Sequence, residues 1–248
     1  MSAHIVIVNR LIKITGTVVK TLSYVFYVLF PKTRFTLPAY SAPLINSNTN
    51  TQIPRVIWQT NYTDQVTLPV YVNYLFNRIM SPTWSYRYVS NYALHEYLKT
   101  HSSPQEFAAF EQLTDGAAQA DFWRVLVLLR EGGVYMDIDA HVVWPMSWMI
   151  KPDYAELFLL NKKQYYTNYF IAARPNNQHL RKTLDLIVDN IENKRIDGGV
   201  YNMTGPRTLS MAIGNQSVNH RFYRITCNQG TFTNEYFQYL DKPRGKWP

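Results

Sequence analysis

Residues 118–139 read AQADFWRVLVLLREGGVYMDID, and this stretch carries the clearest structural signals in the chain. Its first part has apolar residues at the three- and four-residue spacing of a helix, which predicts a helix over 117–130. The glycine pair at 132–133 follows, and glycine commonly occupies the position just past a helix C-terminus. Residues 134–139 are then a short strand that ends in two aspartates. The stretch therefore predicts a helix, a glycine turn and a strand in direct succession.

Strands and helices also alternate outside this stretch. We predict strands at 54–59, 86–90, 157–160 and 169–173, and helices at 93–99 and 177–191. Such alternation is typical of an α/β fold, in which helices flank a central sheet. Ligands of α/β sheets bind at the carboxyl ends of strands, and both Trp58 and the aspartate pair fall at such ends. The sequence therefore predicts an α/β sheet with a ligand site near these residues.

The acidic pair consists of Asp137 and Asp139, whose carboxylates should face the same side of a regular strand. Converging carboxylates repel each other unless a cation lies between them. Mg²⁺ or Mn²⁺ would supply that charge and would also bind diphosphate oxygens. Two solvated acids at a strand end are one alternative. Phosphatases of the haloacid dehalogenase type are another, although they usually have Thr or Val where this chain has His141.

A second pair of charged residues lies on the predicted helix. Asp121 and Arg124 are three residues apart, which is the spacing of an ordinary helical ion pair. The alternative is that both side chains point into a cleft, where a carboxylate and a guanidinium can hold sugar hydroxyls. Spacing alone agrees with both interpretations, so the pair stays a candidate for either role.

The whole of residues 118–139 resembles the signature of glycosyltransferase family 32. That group includes yeast Golgi mannosyltransferases and bacterial capsule and lipopolysaccharide sugar transferases, and it shares the pattern with the large clostridial glucosylating toxins. Three further segments resemble the family in order along the chain: an opening strand at 53–60, a middle strand at 168–173 and a turn at 204–206. The resemblance covers roughly 53–209 and leaves out the N-terminal part of the chain.

This resemblance implies a GT-A type fold, which is a nucleotide-sugar-binding sheet flanked by helices, and a donor site that depends on Mn²⁺ or Mg²⁺. By the same resemblance Asp139 would bind the metal directly. Asp137 would contact the ribose or sugar of the donor and support the metal. Asp121 and Arg124 would hold the transferred sugar, and Tyr135 would line the donor site. The catalytic residues are therefore expected within one short part of the sequence.

Two tryptophans are further candidates for donor binding. Trp58 falls where the related toxins place a tryptophan that stacks on the donor base, whereas many family members have histidine there. A tryptophan packed inside the strand is the equal alternative. The family often closes over the donor with a C-terminal Ser-Trp pair, and this chain offers only Trp247 in that region.

The formal charge of +8 is concentrated near the N-terminus. Six basic residues and no acidic residue precede Asp64, so the remainder of the chain is close to neutral. A basic and aromatic composition can indicate nucleic-acid binding, but a nearly neutral domain argues against it, and we expect no nucleic acid partner. The single cysteine excludes an intrachain disulfide, and the six scattered histidines give no zinc site.

Residues 5–30 are mostly apolar but contain three basic side chains on one side of a predicted helix: Arg10, Lys13 and Lys20. A separate face of this helix carries Ile7, Leu11, Ile14, Val18, Leu22 and Val25. The pattern predicts a basic amphipathic helix that lies on an anionic membrane surface. A spanning anchor is the main alternative, although Lys20 divides the apolar run. A secretory signal peptide is disfavoured because no cleavage site follows the run.

We therefore divide the chain into a membrane-associating arm (1–34), a linker rich in Pro, Ser, Asn and Thr (35–52) and a glycosyltransferase domain (53–248). The family resemblance implies a retaining, metal-dependent transfer of a hexose from a nucleoside-diphosphate sugar, and we expect a glycan or glycolipid acceptor, in polysaccharide or glycolipid biosynthesis. A nucleotide-sugar-binding pseudoenzyme, or a basic membrane- or nucleic-acid-binding module, is the alternative. The expected location is the cytoplasmic face of a bacterial inner membrane. A Golgi membrane is the alternative, because three N-glycosylation patterns occur.

Overall fold

The computed structural model describes residues 3–195 and 197–242. Its strands, in chain order, are β1 (Phe35–Thr36), β2 (Tyr40–Ser41), β3 (Val56–Asn61), β4 (Gln65–Val66), β5 (Ser85–Ser90), β6 (Gly133–Met136), β7 (Ala140–Val142), β8 (Glu156–Leu160), β9 (Tyr166–Ala173), β10 (His220–Phe222) and β11 (Cys227–Gln229). Within the described ranges, seven strands form a central sheet in the order β10-β8-β9-β6-β3-β5-β2. The pairs β3/β5, β3/β6 and β8/β10 are parallel, and the pairs β6/β9, β8/β9 and β2/β5 are antiparallel. The antiparallel pairs β1/β4 and β7/β11 lie outside this sheet.

Helices flank the sheet. They are α1 (Ala3–Leu29), α2 (Leu68–Met80), α3 (Asn91–His101), α4 (Pro104–Phe110), α5 (Gly116–Glu131), α6 (Met146–Met149), α7 (Gln178–Glu192), α8 (Gly199–Met203), α9 (Pro206–Ile213) and α10 (Glu235–Gln238), with a 3₁₀ turn at Tyr223–Ile225. One apolar core joins the sheet to α3, α4, α5, α7 and α9, and another joins it to α2 and α6. Successive residues of β6 alternate between them: Tyr135 belongs to the first core, and Val134 and Met136 to the second. The α/β prediction is therefore confirmed.

The unit formed by α5 and β6 follows from local sequence. The side chain of Asp115 caps α5 by accepting hydrogen bonds from the backbone nitrogens of Ala117 and Ala118, at 2.7 and 3.0 Å. Gly133 has a φ of 104°, and a Cβ there would lie 2.5 Å from a methyl group of Val56 on the neighbouring strand. Glycine is required at this position because a side chain would separate β6 from β3.

The strand after the glycine pair ends earlier than the sequence predicts. β6 stops at Met136, and residues 137–139 form a turn in which the backbone nitrogen of Ala140 donates to the carbonyl of Asp137 at 2.9 Å. Asn73 of α2 fixes this turn, because its Nδ2 donates to the carbonyls of Ile138 and Ala140, each at 2.9 Å. The two aspartates therefore converge through a turn and not through the pleat of a strand. α2 itself was not predicted, since buried asparagines interrupt its apolar pattern.

The N-terminal helix is present, but it is part of the folded domain. Gly16 of α1 packs against Thr231 so closely that an added Cβ would lie 2.4 Å from the Thr231 carbonyl oxygen. The hydroxyl of Tyr27 accepts a hydrogen bond from the backbone nitrogen of Leu68, at 2.8 Å. Over the described residues, none of the helices combines the length and the apolar character that crossing a membrane requires.

Residues 35–52, predicted as a linker, also differ from that prediction. β2 pairs with β5 and forms one edge of the central sheet, and β1 pairs with β4. Leu37 between them is buried in the second core. The sequence did not predict these contacts, because the segment is mostly polar and its two-residue strands and one buried leucine give almost no periodic pattern.

Candidate active site

The turn at 137–139 opens into a cavity at the carboxyl edge of the parallel strands. β3 and β6 are parallel neighbours, so the residues that follow them, 60–62 and 137–139, meet at this edge. The cavity has a volume of about 220 Å³ and is also lined by the first turn of α5 and by residues 238, 239 and 242 near the C-terminus. Its position agrees with the expectation that ligands of α/β sheets bind at carboxyl strand ends.

Arg124 is the centre of the charge network beside this cavity. Its Nη2 lies 3.1 Å from Oδ1 of Asp121 and 3.2 Å from Oδ1 of Asp137, and its Nη1 donates to the carbonyl of Asn168 at 2.8 Å. The guanidinium also lies over the ring of Tyr135, 4.4 Å from its centroid. Only 6% of the side chain is exposed. Because a buried guanidinium is stable only when its donors are satisfied, these contacts hold Arg124 in one orientation.

Asp121 acts on the cavity through Arg124. Its Oδ1 also accepts from Nδ2 of Asn168 at 2.8 Å, and its Oδ2 accepts from the hydroxyl of Thr204 at 3.0 Å. The side chain is 7% exposed, and the residue is not among those that line the cavity. Burial raises the pKa of Asp121 to about 6, although the neighbouring Arg124 opposes the shift. In this structure Asp121 therefore positions Arg124. The family resemblance implied that both residues hold the transferred sugar, and contact of Asp121 itself with a sugar stays a prediction.

Asp137 and Asp139 share a single hydrogen-bond donor. Nε2 of Gln229 lies 3.0 Å from Oδ2 of Asp137 and 3.2 Å from Oδ1 of Asp139, while the hydroxyl of Tyr135 donates to Oδ1 of Asp137 at 2.9 Å. Burial, and then the charge of Asp137, raise the pKa of Asp139 to about 6. The two carboxylates therefore face one small volume in which a positive charge is favoured.

A divalent cation fits this arrangement. One amide nitrogen reaches an oxygen of both Asp137 and Asp139, so a single cation in its neighbourhood can be reached by both carboxylates. Over the described part of the chain, no group of three or more His, Cys, Asp or Glu side chains forms a complete metal site. Mg²⁺ is commonly held by one or two carboxylates, with substrate phosphates and water completing its coordination. The residues present suit a metal that binds together with a phosphorylated substrate.

Trp58 does not line the cavity as the donor-stacking interpretation requires. Its indole nitrogen donates to the carbonyl of Gly132 at 2.9 Å, and its ring packs edge-on against Trp123 at a centroid distance of 6.3 Å. The side chain is buried in the first core. The structure therefore corrects the assignment of Trp58 to donor binding in favour of the packed-strand alternative, since the strand places its ring on the α5 face of the sheet. Trp247, the other tryptophan proposed for donor binding, lies outside the described residues.

Several residues of the network were missed as site residues. Asn168 and Thr204 occur in segments recognised as a strand and a turn, but nothing local indicated that they bind Asp121. Gln229 lies on β11, which reaches the aspartates only because it pairs with β7. Tyr239 lines the cavity from the segment after α10. These contacts join positions far apart in sequence, so periodicity gave no signal for them.

Comparisons with known proteins show which families and folds this chain is similar to. Residues 47–157 match the family described as a glycosyltransferase sugar-binding region containing a DXD motif. A protein named "Toxin" from Photorhabdus asymbiotica is 32% identical over 117 residues, which is 43% of this chain and 4% of the toxin's length. The structure of the PaToxG glycosyltransferase has 18% identity and a TM-score of 0.53, and the match covers 83% of this chain and 78% of that one. The UDP-bound glycosyltransferase domain from the YGT toxin matches at 14% identity and a TM-score of 0.41, over 60% of this chain and 54% of that one.

Proposed function

We propose that this chain, whose residues 47–157 match a DXD-type glycosyltransferase sugar-binding region, transfers a hexose from a nucleoside-diphosphate sugar to a hydroxyl of a glycan or glycolipid acceptor. The observation that carries the proposal is the contact of one buried guanidinium, that of Arg124, with both Asp121 and Asp137 at the wall of the cavity. This fixed charge array at the carboxyl edge of the sheet suits a diphosphate and its sugar. The expected resemblance to DXD sugar transferases is confirmed over residues 47–157.

The residues of the cavity divide into two roles. Asp137 and Asp139 would hold Mn²⁺ or Mg²⁺, which would supply positive charge for the leaving diphosphate. Arg124 lines the cavity and presents its guanidinium to the sugar, while Asp121, Asn168 and Tyr135 keep it in place. A preorganised cation of this kind stabilises developing negative charge without reorganisation during the reaction.

Retention of anomeric configuration is part of the proposal. Among the described residues that line the cavity, the only carboxylates are those of Asp137 and Asp139, and no histidine is present. Both carboxylates are assigned to the metal, so the lining offers no separate general base for an inverting attack. The departing diphosphate could instead accept the proton of the acceptor hydroxyl on the same face of the sugar.

Attachment to an anionic membrane surface is proposed from the exposed face of α1. Ile7, Leu11 and Ile14 are 57%, 58% and 62% exposed, and Val18, Leu22 and Val25 continue the same stripe. The opposite face of the helix packs on the domain through Ile12, Gly16, Ser23 and Tyr27. An apolar stripe with basic neighbours is typical of a helix lying in a membrane interface. The cytoplasmic face of a bacterial inner membrane remains the proposed location, with a Golgi membrane as the alternative.

The test is a panel of nucleotide sugars with the full chain, measured for hydrolysis with and without Mn²⁺. We expect one or a few donors to be hydrolysed in a metal-dependent manner, and Asp139→Asn to abolish that hydrolysis, because an amide is a poor substitute for a carboxylate ligand. Asp153→Asn changes an exposed aspartate outside the cavity and should behave as wild type. Binding of a nucleotide sugar without any turnover would support the pseudoenzyme alternative. Full activity of Asp139→Asn would contradict the metal assignment.

A further inference from the structure

A second cavity with a lining of its own, apart from Gln229, lies beside the first. Its volume is about 470 Å³, and it is open to solvent and lies between α1, the 3₁₀ turn at Tyr223–Ile225 and β11. Gln229 belongs to the walls of both cavities, and the same side chain donates to Asp137 and Asp139. A molecule in the second cavity would therefore lie next to the carboxylates, where a sugar acceptor must lie.

The charge of the second cavity is one-sided. Arg10 and Lys13 of α1 and Arg224 of the 3₁₀ turn contribute three cations. Asn9 ties the two walls together, because its Nδ2 donates to the carbonyl of Arg224 at 2.7 Å. The described lining residues include no aspartate or glutamate. Three cations in one concave site, without an acid among the lining residues, favour an anionic ligand.

The surroundings of this cavity distinguish a lipid from a soluble anion. Arg10 and Lys13 lie on the flank of α1 that borders the cavity, and the exposed Ile7, Leu11 and Ile14 occupy the adjacent strip of the same turns. A ligand with its anionic group between Arg10, Lys13 and Arg224 would thus have its apolar part beside the stripe. Neither a free phosphate nor an acidic peptide would contact both the three cations and the apolar stripe.

On the basis of the proposed function, we propose that this second cavity is the acceptor site and binds the phosphate of a membrane lipid that also carries the accepting hydroxyl. The hydroxyl oxygen forms the new bond to the anomeric carbon of the donor sugar. The bond from that carbon to the diphosphate oxygen breaks with its electron pair leaving on the diphosphate, which also takes the hydroxyl proton. Gln229, between the two cavities, is in position to contact the group that enters.

Binding measurements test this site without relying on turnover. The probes are glycerophosphate in solution, and vesicles of phosphatidylcholine alone or mixed with phosphatidylglycerol. Wild type should bind glycerophosphate and the mixed vesicles. Arg10→Gln/Lys13→Gln should weaken binding to the mixed vesicles about thirtyfold, since each cation near an anionic surface contributes about 1 kcal/mol and 1.4 kcal/mol is a factor of ten. The same variant should lose glycerophosphate binding.

A matched control removes the same charge elsewhere. Lys162→Gln/Lys163→Gln changes two exposed lysines in the turn between β8 and β9, and it should bind both probes as wild type does. Leu11→Gln/Ile14→Gln interrupts the stripe, and should lose binding to the mixed vesicles while it still binds glycerophosphate, which has no acyl chain.

If the Arg10→Gln/Lys13→Gln variant loses binding to the mixed vesicles but binds glycerophosphate as wild type does, the two cations act only at the membrane surface and the acceptor-site proposal is wrong.

Two other outcomes overturn the proposal. Equal binding of vesicles with and without phosphatidylglycerol would exclude an anionic headgroup. Displacement of glycerophosphate by polyglutamate, with no binding of mixed vesicles, would assign the cavity to an acidic protein segment. Failure of the proposed function is seen separately, as the absence of hydrolysis of any nucleotide sugar by wild type, and the binding comparison decides the lipid site in that case too.

Discussion

Replacing Asp121 by alanine gives the sharpest test of the buried network. If Asp121 and Arg124 were an ordinary exposed helical ion pair, the loss of that pair would cost about 0.2–0.5 kcal/mol. In the structure both side chains are more than nine-tenths buried, and the carboxylate also accepts hydrogen bonds from Asn168 and Thr204. Its removal leaves Arg124 with one fewer counter-charge and the Asn168 amide without this acceptor, while the Thr204 hydroxyl keeps only its longer bond to the carbonyl of Val200, at 3.4 Å. Breaking a buried pair in this way costs about 3–5 kcal/mol.

The assay is urea unfolding of the full chain, with thermal unfolding as a second measurement. For a chain of this size a loss of 3–5 kcal/mol corresponds to a fall in Tm of about 6–20 °C. The matched control is Asp185→Ala, which breaks the Asp–Arg pair between Arg181 and Asp185 on α7, where both side chains are substantially exposed. That variant should lose only about 0.3–0.5 kcal/mol. If Asp121→Ala costs no more than Asp185→Ala, water reaches the pair and the positioning role of Asp121 is refuted.

Three further predictions concern the protonation of Asp121, the packing of α1 and the role of Trp58. Burial raises the pKa of Asp121 to about 6, above its ordinary 3.8, so the folded state binds a proton on this carboxyl more tightly than the unfolded state does. As pH falls from about 6 to 4, the free energy of unfolding of metal-free wild type should therefore rise by up to about 3 kcal/mol relative to that of Asp121→Asn. Urea unfolding at each pH measures this difference. Gly16→Ala places a Cβ 2.4 Å from a backbone oxygen, and should lower the free energy of unfolding by about 1–3 kcal/mol despite the better helix propensity of alanine. Trp58→Phe leaves the carbonyl of Gly132 without this hydrogen-bond donor, and should lower the free energy of unfolding by about 1–3 kcal/mol. The KM for the donor should stay unchanged, and a raised KM would support the stacking role of Trp58.

The parts of the fold that the sequence predicted are those whose signals are local. The helix before Gly132 has its apolar residues, its capping aspartate and its terminal glycine within one continuous segment, and the structure places α5 within one residue of the predicted ends. Asp137 and Asp139 were identified for the same reason. Their convergence, however, depends on Asn73 of α2, which pulls residues 138 and 140 into a turn. No pattern within residues 134–139 could show that an asparagine from another helix would end the strand.

The hydrogen-bond partners of Asp121 and Asp137 could not be predicted, because they come from segments that are distant in sequence. Thr204 reaches Asp121 across 83 positions of sequence, and Gln229 reaches Asp137 across 92. Each of these residues is an ordinary polar side chain at a turn or a strand end when read in sequence. Their roles appear only once β11 pairs with β7 and the turn before α9 packs beside α5. Buried polar networks are therefore the part of this site for which structure was indispensable.

The three cations of α1 show how the same residues acquire different roles once the helix is packed. The sequence assigned Arg10, Lys13 and Lys20 together to a membrane surface, because they share one side of the helix. In the structure Lys20 donates to the carbonyl of Gly230 at 3.1 Å, and the backbone nitrogen of Gly230 donates to the carbonyl of Asp139 at 3.2 Å. Lys20 thus supports the loop beside the turn at 137–139, while the other two cations border the second cavity. One helix, α1, thus carries the apolar stripe, two cations of the second cavity and Lys20. Contact of the stripe with a bilayer would therefore place the second cavity at the level of the lipid headgroups.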